Sequence, residues 1–119
     1  MMSYDIQLYR KEVKEKERKA EDENFFDNEN NLLPFTPAQK TYLKERLLTY
    51  DYAIEHEDKD SISYRNKNEE YASALLTDRG LYFSASGEAI FEISMTASEF
   101  TDTGEFVKYD PQADGWEEL

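Results

Sequence analysis

The sequence predicts an α+β fold: a mostly antiparallel sheet, made of an N-terminal strand and a C-terminal meander, with one or two helices on one face. Residues 4–9 and 71–95 alternate apolar and polar side chains, which is the period of half-buried strands. Residues 36–52 instead carry a helix-capping signature followed by apolar residues at helical spacing. This mixture of strand and helix patterns favours α+β over the alternative, an all-β barrel.

The N-terminal third predicts one strand and one exposed helix. Residues 4–9 form the strand. Residues 10–24 carry six positive and six negative charges at three- and four-residue spacing, which is typical of a solvated helix. Residues 25–35 have the Asn and Pro content of a loop but contain five large apolar side chains. We therefore expect this loop to lie across the core.

The clearest local signature begins at Thr36. Thr36 is placed to be the N-cap, Pro37 occupies the first helical position and Gln39 the third, which is a capping-box pattern. Two leucines one turn apart, Leu43 and Leu47, then give the segment an apolar face. An amphipathic helix is predicted.

The rest of the chain predicts strands and then a short helical turn. Alternation and short Gly-containing turns predict strands at 52–56, 62–64, 71–77, 81–85 and 89–95. In the last of these, Phe91, Ile93 and Met95 share the face predicted to be buried. About one helical turn is expected next, capped by Thr96 or Ser98 and ended by Thr103 and Gly104.

Size and composition limit the class of protein. The 119 residues, at 14.0 kDa, suit one domain over 1–119, in which 110–119 could form a flexible tail. There is no Cys, which excludes disulfides, thiolate zinc sites and thiol nucleophiles. No apolar run has the length of a membrane span or a signal peptide. A cytoplasmic protein is expected.

The charge balance points to the kind of partner. Asp and Glu number 27 against 14 Lys and Arg, a net charge of −13. Such a chain repels nucleic acids and anionic membranes, so we expect it to bind neither. Its aromatic residues are interleaved with acids, a pattern that suits ring anchors and carboxylates facing a basic protein.

No catalytic site is predicted. His56 is the only imidazole and lies between two glutamates, without a nucleophile or an orienting partner at a suitable spacing. A surface histidine at a strand end is the expected interpretation. Phosphate-binding glycine motifs and the G-x-S-x-G nucleophile elbow are absent from the sequence, so we do not expect an enzyme.

The segment 110–115, DPQADG, resembles the start of a calcium loop but fails as an EF-hand. Its third position is Gln112, and the glutamate required after the glycine would fall beyond Leu119. A looser site formed by Asp110, Asp114 and Glu117 or Glu118 would make the chain a calcium- or small-ligand-binding regulatory domain, which is the alternative function. The sequence assigns no cofactor and no metal ligand.

Residues 96–119 are the predicted partner surface. They carry seven carboxylates and one lysine, a net charge of −6, among recurring aromatic residues. We expect a strap whose segment up to Tyr109 folds back on the sheet with its rings inward and its carboxylates outward. The residues predicted to contact the partner are Glu99, Asp102, Glu105, Tyr109, Asp110, Asp114, Trp116 and Glu117.

In size, acidity, absence of cysteine and absence of a catalytic constellation, the whole chain resembles the immunity proteins of bacterial polymorphic-toxin and contact-dependent inhibition systems. The resemblance rests on these general features and on no family motif. It implies a stoichiometric inhibitor that covers a basic toxin, often a nuclease.

Overall fold

The computed structural model describes residues 4–20, 25, 31–68, 72–87, 89–110 and 115–116. In chain order its elements are β1 (Tyr4–Arg10), α1 (Lys11–Ala20), α2 (Pro37–Thr49), β2 (Tyr52–Glu57), β3 (Ser61–Asn66), β4 (Ala72–Thr77), β5 (Leu81–Ala85), α3 (Ala89–Phe100), a 3₁₀ turn (Thr101–Thr103), β6 (Phe106–Asp110) and β7 (Gly115–Trp116). The predicted α+β class is confirmed, with an antiparallel sheet and helices packed on it.

The sheet has the strand order β2-β3-β4-β5-β1-β6-β7. Strands β2 to β5 form a meander, and β1 pairs with β5 on one side and with β6 on the other, all antiparallel. The N-terminal strand is therefore central, and the segment after α3 adds β6 to the far side of it.

The strand predicted at 89–95 is wrong, because these residues form the first part of α3. Ala89, Ile93, Ala97 and Phe100 recur at helical spacing and are all buried. Strand β5 is already paired on both sides, by β4 and by β1, so no sheet edge is left for a further strand beside it. The alternation of Phe91, Ile93 and Met95 is therefore not the pattern that sets the fold here.

The predicted capping box is confirmed at the start of α2. The Thr36 Oγ1 accepts a hydrogen bond from the Gln39 backbone N–H at 3.1 Å, and the Gln39 Oε1 accepts one from the Thr36 N–H at 3.0 Å. Replacing such a cap by Ala typically costs about 1 kcal/mol. Leu43 and Leu47 are fully buried, so the helix turns its predicted apolar face to the sheet.

Two cores lie on opposite faces of the sheet. The larger one, between the sheet and helices α2 and α3, is built around Leu8, Phe83 and Ile93. The smaller one contains Tyr9, the neighbour of Leu8 on the alternate face of β1, together with Val13 of α1. Helices α2 and α3 thus share one face, while α1, the other predicted helix, covers part of the opposite face.

The described parts of the loop at 25–35 lie across these cores. Phe25 and Leu32 belong to the smaller core, and Phe35 packs in the larger one with its ring centroid 5.7 Å from that of Phe106. Of the predicted tail, the structure describes only Asp110, Gly115 and Trp116, so its flexibility stays a prediction. Within the described residues, no helix has the length and apolarity to span a bilayer.

Candidate functional site

The predicted partner residues divide into an exposed group and a packed group. Glu99 ends the last turn of α3, and Asp102 and Glu105 follow it, all three with exposed side chains. Glu105 also contributes to the structure, because its backbone oxygen accepts a hydrogen bond from the Lys11 N–H at 3.0 Å. Asp114 and Glu117 lie outside the described residues, and their role stays a prediction.

Trp116 is a core residue in this structure. Only 9% of it is exposed, its ring lies 4.8 Å from that of Tyr109 and 6.2 Å from that of Tyr9, and all three rings belong to the smaller core. Its indole N–H donates to Glu17 Oε1 at 2.9 Å. The two rings predicted to anchor a partner, Tyr109 and Trp116, therefore pack mainly against the protein itself.

Asp110 of β6 is hydrogen-bonded to the neighbouring strand β1. Its carboxylate accepts a hydrogen bond from the Tyr4 hydroxyl. This hydrogen bond, with smaller contributions from burial and from the negative charge, raises the pKa of Tyr4 from 10.0 to about 12. Asp110 thus links β6 to β1, and its carboxylate already accepts a hydrogen bond within the protein.

The outward face of α3 presents an exposed apolar pair. Phe91 is 69% exposed and Met95 47% exposed, and they lie one helical turn apart. Ile93 lies between them in sequence but points into the core, where it is fully buried. Large apolar side chains are also exposed at Leu48, Ile54 and Leu75, and Phe91 is the most exposed of them all. Adjacent exposed side chains of this size can form the centre of a protein interface.

Carboxylates flank this apolar pair. Glu92 and Glu99 lie on α3 with exposed side chains, and Asp102 lies in the turn that follows. Residues 89–105 contain four carboxylates and neither Lys nor Arg. We call Phe91, Met95, Glu92, Glu99 and Asp102 the α3 patch: an apolar centre with an acidic rim.

A buried lysine holds α3 against the sheet. Lys108 of β6 is 8% exposed, and its Nζ donates to the Ser94 carbonyl at 3.1 Å and to the hydroxyls of Ser94 and Ser98 at 2.9 Å each. A buried ammonium group is tolerated only when acceptors replace its hydration, and these oxygens provide them. The contacts fix which side of α3 faces outward.

Arg46 holds the C-terminal end of α3 against α2. Its Nη2 donates to the Glu99 carbonyl at 3.2 Å and to the Tyr50 hydroxyl at 3.1 Å, and its guanidinium lies 5.3 Å from the Phe100 ring centroid. A cation at this position complements the partial negative charge of the helix end. The Tyr50 hydroxyl donates in turn to the Glu99 carboxylate, so one acid of the α3 patch has a fixed position.

Phe91, Met95 and Glu92 are absent from the predicted interface because alternation predicts a strand for their segment. The signal that could have identified them is the spacing of Ala89, Ile93, Ala97 and Phe100, which fits a helix and leaves Phe91 and Met95 on the opposite side. The sequence contains both a two-residue and a helical period here, and the structure follows the helical one.

The other predicted features give no catalytic or metal-binding arrangement in the described residues. The His56 Nε2 lies 3.2 Å from Asp58 Oδ2, and both side chains are exposed at the outer edge of the sheet. Across the described part of the chain, no group of three or more His, Cys, Asp or Glu side chains could hold a metal ion. The predicted calcium loop at 110–115 falls largely outside the described residues.

Comparisons of the chain with protein-family models, with curated proteins and with solved structures find no match in any of the three.

Proposed function

We propose that this protein is an acidic protein-binding module, an immunity or inhibitor protein of bacterial type that neutralises a basic toxin or enzyme by stoichiometric binding in the cytoplasm. The observation that carries the proposal is the α3 patch, in which exposed Phe91 and Met95 lie beside three carboxylates.

The composition of the patch matches what protein interfaces need. Binding energy comes mostly from a few large side chains at the centre of an interface, and Phe91 and Met95 can be buried there at little entropic cost to a helix that is already rigid. Rim charges contribute mainly to the rate of association and to the choice of partner. Glu92, Glu99 and Asp102 would select a partner that carries Lys or Arg around an apolar depression.

Charge favours a basic partner over a second copy of the chain. With a net charge of −13, two copies repel each other, and the repulsion is strongest where both present the acidic side of α3. A basic protein surface is instead attracted to the acidic side of α3.

The proposal is tested by coexpressing the chain with the products of adjacent reading frames and measuring complex formation and inhibition of any toxic activity. We expect a basic protein that binds 1:1 and loses its activity on binding. The double variant Phe91→Ser, Met95→Ser should bind at least about a hundredfold more weakly, the effect of losing two central anchors.

A matched control is Leu75→Thr, which makes an exposed apolar position polar on the opposite face of the sheet. It should bind as the wild type does. Equal binding by the α3 double variant and the control, or a partner with an acidic surface, would contradict the proposal.

A further inference from the structure

A small polar cavity adjoins the α3 patch. Its volume is about 220 Å³, and its wall is formed by the end of α2, by strands β2 to β4 and by α3. Its polar lining includes Asp51, Asn66, Asn68, Glu92 and Thr96. Glu92 also belongs to the α3 patch, so the cavity and the patch share this residue.

Asp51 is held rigidly in the cavity wall. It follows α2 with a left-handed backbone, φ 69°, a conformation that Asp tolerates better than most residues. Its carbonyl accepts from the Lys67 N–H at 2.8 Å, and its Oδ2 accepts from the Asn68 Nδ2 at 2.7 Å. The first contact fixes the backbone and the second orients the exposed carboxylate, whose remaining lone pairs can accept from a donor.

Thr96 is the observation that points to a ligand. It is only 7% exposed, it lines the cavity, and its hydroxyl has no hydrogen-bond partner among the described residues. The hydroxyl is not among the buried polar atoms that lack a partner, so it is open to the cavity, and its donor and lone pairs are available to a group that enters. Glu92, across the same cavity, likewise forms no hydrogen bond or ion pair within the described part of the chain.

We propose that this cavity receives the guanidinium group of an arginine carried by the protein partner, an inference that rests on the proposed function. The cavity is smaller than the ~300–1,000 Å³ of sites for whole small molecules, and it suits the end of one side chain. Its lining supplies the Asp51 carboxylate, which follows α2, and the Glu92 carboxylate and Thr96 hydroxyl of α3. Guanidinium carries five donors that can reach several acceptors at once. Phe91 and Met95 would then cover the apolar stem of the arginine or its neighbours.

The first experiment uses the free protein and needs no partner. N-acetyl-arginine amide is titrated into labelled protein, and amide chemical shifts are followed; N-acetyl-citrulline amide, which is neutral and nearly the same shape, is the matched probe. We expect saturable shifts centred on Asp51, Ala72 and Thr96 with the arginine probe only. Equal shifts with both probes, or shifts centred elsewhere, would overturn the inference.

The variants test the chemistry of the cavity. Glu92→Gln and Asp51→Asn remove charge and retain shape, and Thr96→Val removes the hydroxyl. The pair Glu92→Gln, Asp51→Asn should weaken probe binding and partner binding at least about tenfold, because an arginine would lose its charged acceptors. Glu15→Gln, on exposed α1 across the sheet, is the control for the change in net charge and should leave both unchanged.

The two proposals fail in different ways. A partner whose affinity depends on Phe91 but not on Glu92 or Asp51 would overturn the arginine site and leave the proposed function in place. Conversely, the arginine probe could bind the cavity while no basic partner is inhibited. That result would overturn the proposed function and leave the arginine site in place.

Discussion

Trp116 closes the smaller core from the far end of the chain. Its ring packs on those of Tyr9 and Tyr109, and its N–H donates to Glu17 of α1. Aromatic pairs in this edge-to-face geometry contribute beyond the area they bury. The most conspicuous residue of the predicted interface therefore stabilises the fold, and α1 depends on it.

Trp116→Ala should lower the free energy of unfolding by about 3–5 kcal/mol, the usual cost of removing a large buried ring. The measurement is urea unfolding followed by circular dichroism, since the variant lacks the only tryptophan. Trp116→Phe keeps most of the buried area and should cost clearly less. A loss below about 1 kcal/mol for the alanine variant would mean that the ring is not part of a core.

The tyrosines make the fold sensitive to alkali. The pKa of Tyr4 is raised to about 12, first by its hydrogen bond to Asp110. Burial is the leading cause that raises the pKa of Tyr9, Tyr50 and Tyr64. In each case the folded state favours the neutral phenol, so this stabilisation is complete below the unfolded pKa of 10.0 and is lost as pH rises through the folded value.

For Tyr4 the loss should fall between about pH 10 and about pH 12. Tyr4→Phe should flatten the decrease of stability with pH in that interval, measured by urea unfolding at a series of alkaline pH values. Asp110→Ala removes the acceptor of this hydrogen bond together with its charge and should lower the pKa of Tyr4, followed by phenolate absorbance. Unchanged alkaline titration in Asp110→Ala would show that the hydrogen bond is not its main cause.

At the scale of elements, the patterns that are local were predictable. Residues close in sequence determine the capping box of α2, the strand β1 and the hairpin formed by β4 and β5. Helix α3 was not predictable by alternation, because its segment contains both a two-residue and a helical period. The choice depends on whether β5 has a free edge, and β1, some 75 residues earlier in the chain, occupies it.

The position of the strap predicted at residues 96–119 likewise depends on a strand that is distant in sequence. The wrap-back of residues 106–110 could be expected from their rings, but their place as β6 requires the pairing of Gln7 with Tyr109. No short window of sequence contains that contact. Of the predicted interface, the exposed acids at 99, 102 and 105 could be read from charge, whereas the burial of Trp116 could not.

The attachment of α3 to β6 gives a test at this scale. In Ser94→Ala, Ser98→Ala, the Lys108 ammonium loses two hydroxyl acceptors at 2.9 Å while it stays buried. We expect stability to fall by about 2–4 kcal/mol, since hydrogen bonds to a charged group that are lost while the group stays buried are costly.

Adding Lys108→Met to that double variant should recover part of the loss, because an apolar side chain of similar length needs no acceptors. Thermal unfolding of the three proteins measures both steps. If the serine variant is as stable as the wild type, then the lysine does not anchor α3.

At the scale of the whole molecule, the described helices on the two faces of the sheet differ in charge. Helix α1, on one face, carries five Lys or Arg and three Glu, whereas residues 89–105, which form α3 and its following turn on the other face, carry four carboxylates and no Lys or Arg. Of these two segments, α3 attracts a basic protein and α1 repels it.

This asymmetry predicts a steep dependence of association on salt. The association rate of a basic partner should fall at least about tenfold from low to high ionic strength, while the dissociation rate changes little. Stopped-flow mixing at a series of salt concentrations measures it. An association rate indifferent to salt would argue that the acidic rim does not guide the encounter.

The most direct test of the central claim uses the methyl group of Met95. The chain has three methionines, and Met95 is the one in the α3 patch. In methyl-labelled protein titrated with its inhibited partner, its signal should change and saturate at one equivalent, because the methyl group moves from water into the interface. A Met95 signal that stays at its free position in the saturated complex would contradict the assignment of the outward face of α3 as the binding site.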